Sequence, residues 1–128
     1  PYLSPEAFAS ASAANVEDAA AQAVHGIQAR NLARLSAAGM TIALGTDGNV
    51  FWAPHVEMED MVAAGMSEAE VIKAATAHSA AVLDLDDAGT IEPGKRADFI
   101  VLEANPLDDI RNTRRIVDVY LAGERVQR

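Results

Sequence analysis

Cysteine is absent from the 128 residues, which removes disulfides, thiolate nucleophiles and every zinc site built on sulfur. Any zinc here must be held by His, Asp or Glu, and there are only three histidines. Cationic residues are scarce as well. Ten Lys and Arg against nineteen Asp and Glu leave a formal charge of −9 and a pI near 4.6. That leaves no basic stripe to neutralise phosphates, so nucleic acid is not an expected partner. No apolar run approaches the roughly 20 residues that cross a bilayer, and no basic region followed by an apolar core opens the chain. No membrane partner is expected, and a cytoplasmic location is. Pro1 stands where Met would begin a chain, so a fragment or a processed chain is expected.

What is present suffices for one domain's core: half the residues are hydrophobic. Residues 1–14 mix Pro, Ser and Ala and read as a connecting segment, with a helical turn after Ser4-Pro5. Val24, Ile27, Leu32 and Leu35 then mark one face of a helix over residues 16–38, stopped by Gly39. Residues 40–44, Met-Thr-Ile-Ala-Leu, lack polar alternation except at Thr41, which predicts a parallel strand covered on both faces. A loop over 48–54 carries Phe51 and Trp52. It leads to a short helix with Met58, Met61 and Val62 inward and Gly65 as its stop. Ser67 and Glu70 form a capping box, with Met66 and Val71 as the hydrophobic staple, for a helix running to about Ser79.

Beyond Leu85 the helical periodicity ends, and a domain boundary is expected there, dividing 1–85 from 86–128. Strands are predicted at 99–102 and 116–121, the latter turning through Ala122-Gly123-Glu124 into a hairpin. So few strands cannot make a stable sheet alone, so they must complete one whose other strands lie elsewhere.

Two motifs are decoys. Gly89 to Lys95 matches G-x-x-x-x-G-K, but Arg96 replaces the Ser or Thr, Pro93 removes an N–H, and a strand comes next where a helix is required; a Pro-Gly turn is expected. Asp84, Asp86 and Gly89 mimic the start of a calcium loop, yet Ala88 and Lys95 occupy positions five and twelve, which predicts a solvated acidic turn.

The chemistry concentrates at Gly45-Thr46-Asp47, which places a carboxylate at the carboxyl end of the predicted buried strand, where α/β enzymes hold their reacting groups. Asp47 is the candidate general base and metal ligand. The histidines have no HExxH or HxH spacing. His25 reads as a partly exposed helical residue, and His78 as a helix-end residue that bonds free carbonyls or packs at the boundary. His55, in the loop after Asp47, is a candidate substrate contact or else orients the short helix.

Four stretches in this order resemble the carboxyl-terminal part of the metal-dependent amidohydrolase superfamily, in its imidazolonepropionase-like and prolidase-like branch. They are Ala43 to Asp47; Ala64 to Ser67 with Ala74-Ala75-Thr76; Gly89 to Leu102; and Asn105 to Ile110. The resemblance implies an α/β fold, the last part of a (β/α)8 barrel plus strands of a small β-sandwich. It makes 40–44 the last barrel strand and Asp47 its metal-side carboxylate, with Phe51, Trp52 and His55 lining the substrate mouth. It implies a divalent metal, zinc in one or two ions, which activates water while Asp47 moves the proton. The implied substrate is a small amide, cyclic amide or dipeptide-like molecule.

The family's other metal ligands, an H-x-H on the first strand, a Lys or Glu and two later His, have no counterpart here. A barrel takes about 250 residues, so the remainder must come from upstream sequence or a partner chain, and this chain alone is expected to be inactive. The rival expectation is a non-catalytic assembly protein that keeps the scaffold. A homo-oligomer is left open.

Overall fold

The structure is a computed structural model that describes residues 19–46 and 51–127, with side chains from Gly26 onward. The proposed turn after Ser4-Pro5, the helix start at Val16, Asp47, and the side chain of His25 lie outside that description.

Helix α1, Ala19–Ala37, ends where the sequence places its stop. Gly39 takes φ +84°, its N–H donates to Ser36 O at 2.9 Å, and Met40 N–H reaches Leu35 O at 3.1 Å. This double bond pattern is a Schellman ending, in which a left-handed residue satisfies the last free carbonyls. Helix α2, Ala53–Ala63, ends the same way: Gly65, at φ +108°, donates to Val62 O and Met66 to Met61 O. Met61 and Met66 are both buried in the core, which supplies the apolar contact that accompanies the motif.

Helix α3, Glu68–Lys73, begins at Ser67, whose hydroxyl accepts the Glu70 N–H at 3.3 Å. Glu70 answers from its side chain, accepting from the Ser67 hydroxyl at 3.4 Å. The staple forms as expected, with Met66 and the fully buried Val71 in one cluster. The helical rod does not stop at Ser79. It passes through a wide π-turn, Ala74–His78, into α4, Ser79–Val82. Its ending repeats the Schellman pattern with Asp84, at φ +54°, in the left-handed place usually given to Gly. There Leu85 N–H reaches Ala80 O at 2.9 Å.

Residues 40–46 are extended, but among the described residues no strand pairs with them. The expected cover on both faces is present on one only. Ile42 and Leu44 pack against the helical core, while Thr41, Ala43 and Gly45 are exposed. An apolar strand of this kind needs neighbours on its other face and edges, and the described part of the chain does not contain them.

Three strands form one antiparallel sheet in the order β1-β2-β3: Phe99–Leu102, Ile116–Leu121 and Glu124–Arg125. Phe99 faces Tyr120 with rings stacked at 4.6 Å. Val117 is an extra residue between the Val101↔Asp118 and Leu102↔Ile116 pairs, a bulge that ends the regular ladder. The β2–β3 hairpin turns through Ala122 and Gly123, both at positive φ. Asp98 braces the turn by accepting the Ala122 N–H at 2.7 Å. That bond, with smaller help from Arg96, holds the Asp98 carboxyl below the usual carboxylate range.

Both decoy motifs resolve as turns. Pro93-Gly94 forms a turn closed by Lys95 N–H to Glu92 O at 3.2 Å, with Gly94 at φ +88°. The Lys95 ammonium is engaged locally by Thr90 and Glu92. Asp84, Asp86 and Asp87 are exposed.

The tail returns to the helices. A 3₁₀ turn, Ile110–Arg114, packs on α2 and buries Ile110 among Met58, Met61, Met66, Val71 and Ala74. By contrast, β1 leaves Phe99, Ile100 and Val101 between 38% and 47% exposed. The sheet's apolar surface is larger than the described chain covers, as expected for strands that complete a larger sheet.

Candidate active-site strand

The extended segment 40–46 carries the sequence's candidate carboxylate just past its end, and three groups on the helical rod hold it. Leu44 N–H donates to Ala74 O at 3.0 Å. His78 Nδ1 lies 3.0 Å from Ile42 O; a carbonyl only accepts, so Nδ1 carries the proton. The Ser79 hydroxyl donates to Ala74 O at 2.7 Å and lies 3.4 Å from Leu44 O. The π-turn makes this possible. One residue inserted into a helix rotates the residues beyond it by about 100°, which brings Ser79 as well as His78 to the strand side. Thr76, whose hydroxyl bonds back to Ile72 O at 2.7 Å, adds the local bending such bonds favour.

On the far side of residues 47–50 the chain re-enters at Phe51 and Trp52. Phe51 is 68% exposed and meets Trp52 edge to face at 4.8 Å. His55 is not in a loop. It occupies the first turn of α2, because Pro54 at the second helical position suits a helix start. Its ring faces the tail: Nδ1 lies 3.1 Å from Thr113 Oγ1. Thr113 spends its own proton on Ile110 O at 2.8 Å, so its oxygen accepts and His55 Nδ1 donates, leaving Nε2 as the acceptor nitrogen. Burial, and then the nearby Arg114 guanidinium, push the His55 pKa down, with Glu59 opposing. Glu59 and Arg114 pair across the same junction at 2.6 Å.

Of the candidate residues, Phe51 and Trp52 are thus brought together, and His55 is turned to Thr113. Sequence reasoning missed Thr113 and Ser79; it expected a carbonyl partner for His78 but did not locate it at Ile42. The only local signal was three polar residues, Thr76, His78 and Ser79, set in a run of alanines. Among the described residues no three His, Asp or Glu side chains gather as a metal site. Asp47, the candidate ligand, lies outside the described residues. No described helix is long and apolar enough to cross a membrane.

Comparison with known proteins agrees with this architecture. The sequence model of the Amidohydrolase family matches residues 5–126. Imidazolonepropionase of Deinococcus deserti is 35% identical over 101 residues, which cover 73% of this chain and 25% of that protein. The crystal structure of a Xaa-Pro dipeptidase with methionine bound in its active site superposes with a TM-score of 0.70 at 31% identity, over 78% of this chain and 25% of the other. An amidohydrolase crystal structure covers 98% of this chain and 29% of its own, with a TM-score of 0.71 at 29% identity. The chain therefore spans about a quarter of the length of the imidazolonepropionase it matches. These neighbours imply a TIM-barrel hydrolase fold, of which the helices and small antiparallel sheet form a part. The chain belongs to the Amidohydrolase family, with its likeness in the imidazolonepropionase and prolidase branch.

Proposed function

We propose that this chain is the carboxyl-terminal part of a metal-dependent amidohydrolase that hydrolyses the C–N bond of a small amide, cyclic amide or dipeptide-like substrate. The observation that carries it is the family match over residues 5–126. Residues 40–46 would be the last barrel strand, with Ile42 and Leu44 toward the helix layer. A period of two counted along the sequence groups position 47 with the exposed Thr41, Ala43 and Gly45, the face a barrel turns inward.

Asp47 is assigned the proton transfer. As water adds to the substrate carbonyl, the carboxylate takes a water proton and then returns it to the departing nitrogen, which leaves as an amine. Phe51 and Trp52 would form an aromatic rim for the substrate. His55 can address a ligand only through Nε2, since Nδ1 is held by Thr113. The division at Leu85 separates the barrel part from strands of a small β-sandwich, and the uncovered apolar face of β1 favours that assignment. A zinc site, with Asp47 as its one ligand from this chain, would draw its other ligands from sequence beyond these residues or from a partner chain. Residues 1–128 alone are then inactive.

The test is Asp47→Asn in the full-length protein, assayed on a panel of dipeptides, Xaa-Pro included, and cyclic amides. Turnover should be lost with the circular dichroism spectrum and melting temperature unchanged. Turnover retained by the variant would overturn the assignment.

A further inference from the structure

Strands in a barrel are held edgewise by other strands, and helices usually cover them with apolar side chains alone. Here the helical rod also makes polar contacts to the strand backbone. Ala74 O, at the start of the π-turn, receives Leu44 N–H at 3.0 Å and the Ser79 hydroxyl at 2.7 Å. One turn on, His78 donates to Ile42 O at 3.0 Å. Ile42 and Leu44 sit on the same strand face, so the two contacts grip the segment at two levels, Ala74 at Leu44, three residues before Asp47, and His78 at Ile42, five residues before it. From these contacts we infer that His78 is a positioning residue, which fixes the height and twist of the strand end that leads into Asp47.

The chemistry of the contact is specific. Nδ1–H donates in both the neutral and the charged imidazole, so the grip does not depend on the ring's protonation. What it needs is a short side chain with one N–H near the Nδ1 position, which the amide of Asn also supplies. The inference rests on the Asp47 assignment for its catalytic consequence, but not for the contact itself.

The experiment uses the full-length enzyme with His78→Leu, His78→Asn and Asp47→Asn, on whichever amide of the panel the wild type hydrolyses. A displacement of about 1 Å at a reacting group can cost on the order of 100-fold in rate. His78→Leu should therefore lower kcat by about 10- to 100-fold while KM stays within about twofold. His78→Asn should recover most of the rate. Amide hydrogen exchange at Leu44 should accelerate in His78→Leu and not in His78→Asn. If His78→Leu does not fold, His78→Gln, whose donor sits one bond further out, takes its place with the same expected split. An unchanged kcat in the folded variant, or an Asn variant as slow as the Leu variant, overturns the positioning role. Full activity in Asp47→Asn overturns the catalytic assignment instead, and Leu44 exchange still reports whether His78 holds the strand.

Discussion

His55 shows how one side chain can serve structure at a place where the sequence points to chemistry. Its position in the chain suggests a loop at the substrate mouth, but it lies in the first turn of α2 with its proton committed to Thr113, 58 residues away. No local pattern marks a contact of that span. Its lowered pKa gives the contact a pH signature. The folded state favours the neutral ring, so the stability linked to it is complete above the unfolded value of about 6.5. It is lost as pH falls from there through the folded pKa. In chemical denaturation of the full-length protein between pH 7.5 and 5, His55→Asn, which retains a donor for Thr113, should lose less stability than the wild type. Equal slopes for the two proteins would show that His55 does not carry the effect.

At the scale of elements, the readable features were those decided within a few residues. The stops at Gly39 and Gly65 and the Ser67–Glu70 cap each depend on neighbours three to five positions away, and each formed as the sequence indicates. The π-turn was not legible, because Ala74 to His78 is compatible with plain α-helix and only the contacts to Ile42 and Leu44 distinguish it. The third helix ending was missed because Asp84 fills a glycine place. Replacing it should help: a non-glycine residue in the left-handed region costs roughly 1–2 kcal/mol, partly relieved for Asp, so Asp84→Gly should raise stability by up to about 1 kcal/mol. Urea denaturation would register it as a higher midpoint with an unchanged slope. Gly89 is the opposite case. A Cβ there would lie 2.6 Å from Ala80 Cβ and 2.9 Å from Thr76 O, and φ is +81°. Gly89→Ala should cost about 1–3 kcal/mol, because the turn after α4 seats directly on the rod that holds the strand. A melting temperature equal to wild type would contradict that close seating.

Considered whole, the described chain is a helical layer with an extended segment on one side and a small sheet attached through the Ile110–Arg114 turn. Its α/β character was legible from the alternation of a helical period with short apolar runs, and the incomplete sheet from the shortage of strands. What covers the exposed faces of 40–46 and of β1 was not legible, because those partners lie outside the described residues. The joint between sheet and helices was also hidden, since Ile110 comes after a polar loop and gives no periodic signal. It is nonetheless one of the core's buried side chains. Truncating it in Ile110→Ala should cost about 2–5 kcal/mol. It should also loosen the sheet from α2, seen as faster amide exchange across β1 and β2; protection equal to wild type would mean the joint is held elsewhere.

The one-sided burial of residues 40–46 carries a hazard as well as a role. An extended apolar run without a pairing strand is a template for any other extended chain, so this backbone is adhesive until its proper neighbours arrive. The polar grip of Ala74 and His78 occupies some of those backbone groups from the helix side. It leaves fewer of them free to recruit a stray strand while the rest of the barrel closes.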